Sequence, residues 1–210
     1  MMLLADSFFL RLFTETFMQQ ALIAGLVMGF ISPIIGSFVI IRRLSFIADT
    51  LSHFSLAGLS IGLFLINEIQ LEFLGDPLYL AIISAVIGAF IIEILRGFYN
   101  NYKEISMPIV MSLGTALSAL FISLSGGWSS SIYNFLFGNL LTVSREFVII
   151  IIVAAAIVLL LIGLNLKKII LVSFDEAYAK LVGIKIGRFQ FVSTLVLALV
   201  VSLSIVIVGV

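Results

Sequence analysis

Long apolar runs alternate with short polar links along the chain. Read as helices, the runs are Phe17–Ile41, Ser45–Ile66, Leu78–Leu95, Pro108–Leu124, Phe147–Leu166 and Phe189–Val210. A hydrocarbon core of about 30 Å takes roughly 20 helical residues to cross, so each run can span a bilayer. Strictly alternating apolar and polar strands are absent, which disfavours a membrane barrel and leaves helices to satisfy the backbone. The pattern predicts an all-α fold, a polytopic transmembrane helical bundle of six spans.

The links sort by charge. Arg42 and Arg43 follow the first run, and Arg96 and Lys103 the third. Lys167, Lys168, Lys180, Lys185 and Arg188 surround the link between the fifth and sixth. The other links are poor in bases: Asn67–Pro77 holds only Glu68, Glu72 and Asp76, and Ser125–Glu146 has Arg145 as its only base. The positive-inside rule puts the basic links in the cytoplasm. The fourth run then ends outside near Gly126-Gly127-Trp128, and the fifth must start outside. The moderately apolar stretch Ile132–Val143, interrupted by Asn134, Gly138 and Asn139, therefore cannot cross fully. A re-entrant or broken helix fits, and a surface helix on the outer leaflet is the alternative. Small residues at four-residue spacing (Gly25/Gly29, Gly58/Gly62, Gly114/Ser118) suit close helix packing in lipid.

Composition adds exclusions. A 62% hydrophobic fraction, 10% charged residues and a mean hydropathy of +1.33 rule out an ordinary soluble domain. The 11 basic and 11 acidic residues cancel, which gives no support for nucleic-acid binding. No cysteine is present, which removes disulfides, thiolate metal sites and cysteine nucleophiles. Met1 to Gln20 lacks a basic n-region and a small-residue cleavage site, and reads as an interfacial lead-in instead of a signal peptide.

One pair stands out chemically. Asp49 and His53, the only histidine, lie four residues apart in the second run. Residues i and i+4 share a helix face, so carboxylate and imidazole can converge on one cation. Counted from Arg43, they lie about 9 and 15 Å along a helix, between the inner interface and the midplane. Intramembrane charge costs a few kcal/mol and tends to mark a substrate or ion path. Ser45, Ser52, Ser55 and Ser60 add hydroxyls. The pair suits a divalent transition ion such as Zn²⁺ or Mn²⁺, with other helices, waters or a second copy completing the shell. The alternative is structural: Asp49 caps a broken helix and His53 is a hydrogen-bonded core residue.

A second segment, Ser173 to Gly183, predicts a helix of about two turns between two spans. Ser173 and Glu176 have capping-box spacing, Lys180 falls in the last turn and Gly183 at a C′ position. Phe174, Tyr178 and Leu181 form an apolar stripe that the membrane surface or a cytoplasmic partner must cover. Glu93 and Arg96 read as a structural ion pair. No glycine-rich phosphate loop is present, so the chain itself should not bind ATP.

These segments resemble the permease subunit of bacterial ABC importers for zinc, manganese or iron, the ABC-3 metal-permease family. The matching stretches are Arg42 to His53, Leu136 to Ser144 and Ser173 to Ile184, within a likeness running from about Phe17 to the end. The resemblance implies a single permease domain over 1–210 that acts as a homodimeric pore in the bacterial plasma membrane. Its partners would be a cytoplasmic ABC ATPase and an extracytoplasmic metal-binding protein. Asp49 and His53 would be pathway ligands for a transported Zn²⁺ or Mn²⁺, with no permanently bound cofactor and no catalytic residue. Phe174, Asp175, Glu176, Ala177, Tyr178, Leu181 and Gly183 would belong to a coupling helix over 173–184 that docks on the ATPase. The wording from Asp49 to Gly58 is closer to zinc-type than manganese-type members. The region around Ser106-Met107-Pro108 departs from the family, which more often has an acidic residue there, and the family continues beyond Val210. A permease for a metal chelate (siderophore or cobalamin) and an ATP-independent channel or carrier are the alternatives. An intramembrane hydrolase is disfavoured, because no strained nucleophile turn or second metal motif is visible.

Overall fold

A computed structural model of the chain describes residues 15–42, 44, 46–67, 70, 76–99, 102–139 and 143–209. The described residues form α1 Thr16–Ile41, α2 Ile47–Asn67, α3 Pro77–Phe98, α4 Ser106–Leu124, α5 Ser130–Phe137, α6 Arg145–Phe174, α7 Glu176–Leu181 and α8 Ile186–Val208, with a 3₁₀ turn at Lys103–Ile105 leading into α4. Six of these helices are long and apolar enough to cross a membrane, and no strand occurs among the described residues. The interfacial lead-in is corrected where it can be seen: Thr16 to Gln20 already belong to the first spanning helix. Residues 1–14 lie outside the described residues, as do Arg43, Ser45 and 140–142.

The ends of the helices follow local chemistry. Asp76 caps α3 by accepting from the Leu78 N–H at 3.0 Å, with Pro77 at the first helical position. Ser144 caps α6 through the Phe147 N–H. α6 runs on to Phe174, well past the expected end at Leu166, because Lys167 and Lys168 are good helix formers and nothing there breaks the helix.

α2 is the central helix, packed most extensively against α3 and α4 and also touching α8 and α5. Apolar burial gains little when the alternative surroundings are lipid tails, so close approach and hydrogen bonding must hold such helices together. Both are present. A Cβ at Gly58 would collide with Ser84 and the Leu80 carbonyl of α3, and one at Gly114 would come within 3.0 Å of the Phe54 backbone nitrogen. Ser84 donates its hydroxyl to the Phe54 carbonyl at 2.8 Å, and Thr50 to the Met107 carbonyl at 3.3 Å. By contrast, a Cβ added at Gly25 or Gly29 would meet nothing within 4 Å among the described residues.

The stretch after α4 behaves as the topology required. α5 has eight residues, too few to cross, and its Ile132 and Phe135 are buried against Leu56, Leu59, Leu63 and Ile205. Gly138 has φ 72° and lies so near the Val208–Gly209 backbone that a side chain would not fit.

Candidate functional site

Asp49 and His53 share the outward face of an otherwise enclosed helix. Thr50, Leu51, Ser52, Phe54 and Ser55 are buried, whereas Phe46 and Asp49 are exposed and His53 is half-buried. Positions 46, 49 and 53 fall on one side of the helix. The opening is short, because at Ala57 and Ser60, on the same face further along, burial is complete at 1% and 0% exposure. Among the described residues neither the Asp49 nor the His53 side chain makes a hydrogen bond or ion pair, and no third His, Asp or Glu gathers with them to form a metal cluster.

Their place along the helix follows from where it starts. α2 begins at Ile47, after a tight link in which the Leu44 N–H donates to Val39 and the Ile47 N–H to Leu44. Asp49 therefore lies in the first turn, about 3 Å from the helix start, and His53 about 9 Å. A carboxylate there interacts favourably with the helix dipole and accounts for its own presence without a capping bond.

The second segment forms as a helix, with one correction. Because α6 continues through Phe174, Ser173 has helical backbone and cannot cap. Asp175, extended at φ −142°, ψ 92°, takes that role and accepts from the Tyr178 N–H at 2.8 Å. The close is as expected: Gly183 has φ 87°, and the Gly183 and Ile184 N–H groups donate to the Lys180 and Ala179 carbonyls. Ala179 anchors α7 against Val172 and Ile186. Its other side presents Tyr178 and Leu181 at 52% and 85% exposure. The expected three-residue stripe is interrupted: Phe174, though 75% exposed, ends α6, and the extended Asp175 separates it from the face of α7.

Sequence reasoning missed the polar connections behind this helix. Gln190 Nε2 of α8 donates to Glu176 Oε1 at 2.6 Å. One turn on, Ser193 Oγ accepts from Arg42 Nη1 at 3.1 Å, and Thr194 Oγ1 donates to Glu93 Oε1 at 2.6 Å. Glu93 also holds Arg96 at 2.8 Å, the ion pair expected from spacing. Burial, with Arg96 alongside, holds the Arg42 guanidinium below its ordinary pKa, while Glu176 and Glu93 oppose that shift. The first turns of α8 thus tie α7 to the end of α1, five residues before α2 begins. Pairs so far apart in sequence leave no spacing signal; only a polar residue such as Gln190 or Ser193 inside an apolar run hinted at them.

Residues 14–210 match the ABC 3 transport family. The chain belongs to that family. The manganese transport system membrane protein MntC of Listeria monocytogenes is 31% identical over 93% of this chain and 66% of its own length. A probable metal transport system membrane protein of Treponema pallidum is 28% identical over 92% and 70% respectively. Among solved structures, PsaBC from Streptococcus pneumoniae in complex with Fab superposes with a TM-score of 0.77 at 29% identity, covering 98% of this chain and 71% of that one. The chain thus spans about two thirds of the length of the curated relatives it matches. Six apolar helices and this membership make it a multi-pass protein of the plasma membrane.

Proposed function

We propose that this chain is the permease of an ATP-driven importer that carries a divalent transition metal ion inward, working as two copies with a separate ATPase and an external metal-binding protein. The observation that carries the reading is the Asp49–His53 pair on the open stretch of a buried helix. An unpaired carboxylate cannot face hydrocarbon cheaply, so protein or a water-filled cavity must cover that face. A second copy related by a two-fold axis would bring another Asp49 and His53 to it. Four such ligands with waters could replace part of an ion's hydration shell without holding it permanently.

The relatives' names favour Mn²⁺ as cargo, whereas Asp and His ligation alone accommodates Zn²⁺ or Fe²⁺ equally. The exposed Tyr178 and Leu181 of α7, with the exposed Phe174 at the end of α6, support docking of an ATPase, whose movement would reach α2 through α8 and Arg42. A chelate permease would not need a carboxylate–imidazole pair on that face.

Uptake of radiolabelled Mn²⁺ and Zn²⁺ into cells carrying Asp49→Ala or His53→Ala tests the reading. Transport should fall to background while the variant permease still co-purifies with its partners. Wild-type uptake of both ions by both variants would remove the assignment.

A further inference from the structure

A second feature adjoins α7 and shares Phe174 and Gly183 with the docking segment. α6 packs on α1, burying Phe147, Val148, Ile151, Ala155 and Val158 in the core, and then buries no residue until Val172. Over that interval α6, α1 and α8 enclose a half-open groove of about 880 Å³. Its walls are mainly apolar, Leu161, Ile162, Ile34 and Leu197 among them. Its mouth carries Lys167, Lys168, Lys185 and Arg188, and no acidic side chain lines it.

We propose that this groove binds an anionic phospholipid of the inner leaflet, acyl chains inward and phosphate among the four bases. Three observations carry the assignment. From Arg188 to Leu197 the lining part of α8 runs about 14 Å along its axis, against about 15 Å for one leaflet's share of the hydrocarbon. The apolar-to-basic change along α6 comes at Lys167, about 33 Å from Arg145 at the outer end, so the bases lie at headgroup height. Four cations without a lining anion need a counter-charge, and a phosphate headgroup supplies it where basic pockets open between membrane helices. A protein segment filling the groove would have to bring its own acids to the mouth. The lipid would wedge α6 against α1 and α8, and α6 and α8 are the helices that contact α7.

Native mass spectrometry of the detergent-purified full chain, titrated with phosphatidylglycerol, phosphatidylcholine or glycerol 3-phosphate, tests this. Phosphatidylglycerol should be retained about tenfold or more tightly than phosphatidylcholine, since each nearby base adds to the attraction. Glycerol 3-phosphate alone should not be retained. Lys185→Gln with Arg188→Gln, and separately Lys167→Gln with Lys168→Gln, should abolish the preference. Ile162→Trp, which adds bulk to the apolar wall, should weaken both lipids alike. Equal retention of the two lipids, or an undiminished preference in both double variants, overturns the proposal. So does glycerol 3-phosphate binding as tightly as the lipid, which would mark a free-phosphate site. None of these readouts involves metal transport, so the proposal stands or falls apart from the permease reading.

Discussion

Gly58 and Gly114 show how much a single missing methyl group can matter in lipid. Each lets a neighbouring backbone approach α2 more closely than a Cβ would permit. Gly58→Ala would force the Ser84 side chain and the Leu80 carbonyl away, and with them the hydrogen bond from Ser84 to Phe54. Overpacking of this kind costs about 1–3 kcal/mol. The thermal midpoint of the purified protein should drop clearly for Gly58→Ala and Gly114→Ala. For Gly25→Ala and Gly29→Ala it should stay or rise slightly, because the added Cβ would meet no described residue within 4 Å. Equal effects at all four positions would show that the close contacts do not organise the bundle.

α7 is a helix too short to persist unaided. Its cap at Asp175, its glycine stop at Gly183 and its anchor at Ala179 together fix it on the end of α6. Asp175→Ala removes the cap, at a cost of about 1 kcal/mol, while leaving Tyr178 and Leu181 chemically intact. Leu181→Glu leaves the cap and charges that face. Under the proposed function both should reduce co-purification of the ATPase, with Leu181→Glu the more severe; full association with both would show that α7 does not dock it. The bonds from α8 carry a different expectation. Gln190→Leu and Ser193→Ala break the contacts to Glu176 and Arg42 without altering the docking surface. The complex should then assemble and hydrolyse ATP, yet consume several-fold more ATP per ion taken up. A proportional fall in hydrolysis and uptake would mean that these bonds only support folding.

The molecule as a whole has one helix, α2, enclosed on most sides and open over its first two turns. If a second copy covers that opening, residues beside Asp49 should meet their own counterparts across the two-fold axis. The chain has no cysteine, so one introduced at the exposed Phe46 reports without background. In membranes, Phe46→Cys should be captured as a dimer by a bifunctional thiol reagent, whereas a cysteine replacing the exposed Leu160 of α6 serves as the comparison. Failure of Phe46→Cys to cross-link in assembled transporter would separate the open face from the dimer axis.

Much of this could be read from residue order. Apolar runs bounded by Arg42, Arg96 and Lys167 located six helices, because in a bilayer hydrophobic length constrains a span. The i,i+4 relation of Asp49 and His53, the ion pair of Glu93 and Arg96, and the glycine stop at Gly183 are local geometry, which the order of residues dictates. Contacts between distant segments are another matter. That a Cβ at Gly58 would strike α3 while one at Gly25 would meet no described residue, that Asp49 lies in a first turn, that Asp175 and not Ser173 caps α7, and that Gln190 and Ser193 tie α7 to α1 all depend on which surfaces meet. Nearly every residue in these helices is apolar, so the pattern carries no record of which face turns inward. In lipid that choice is made by close approach and scattered hydrogen bonds, and those exist only once the helices have assembled.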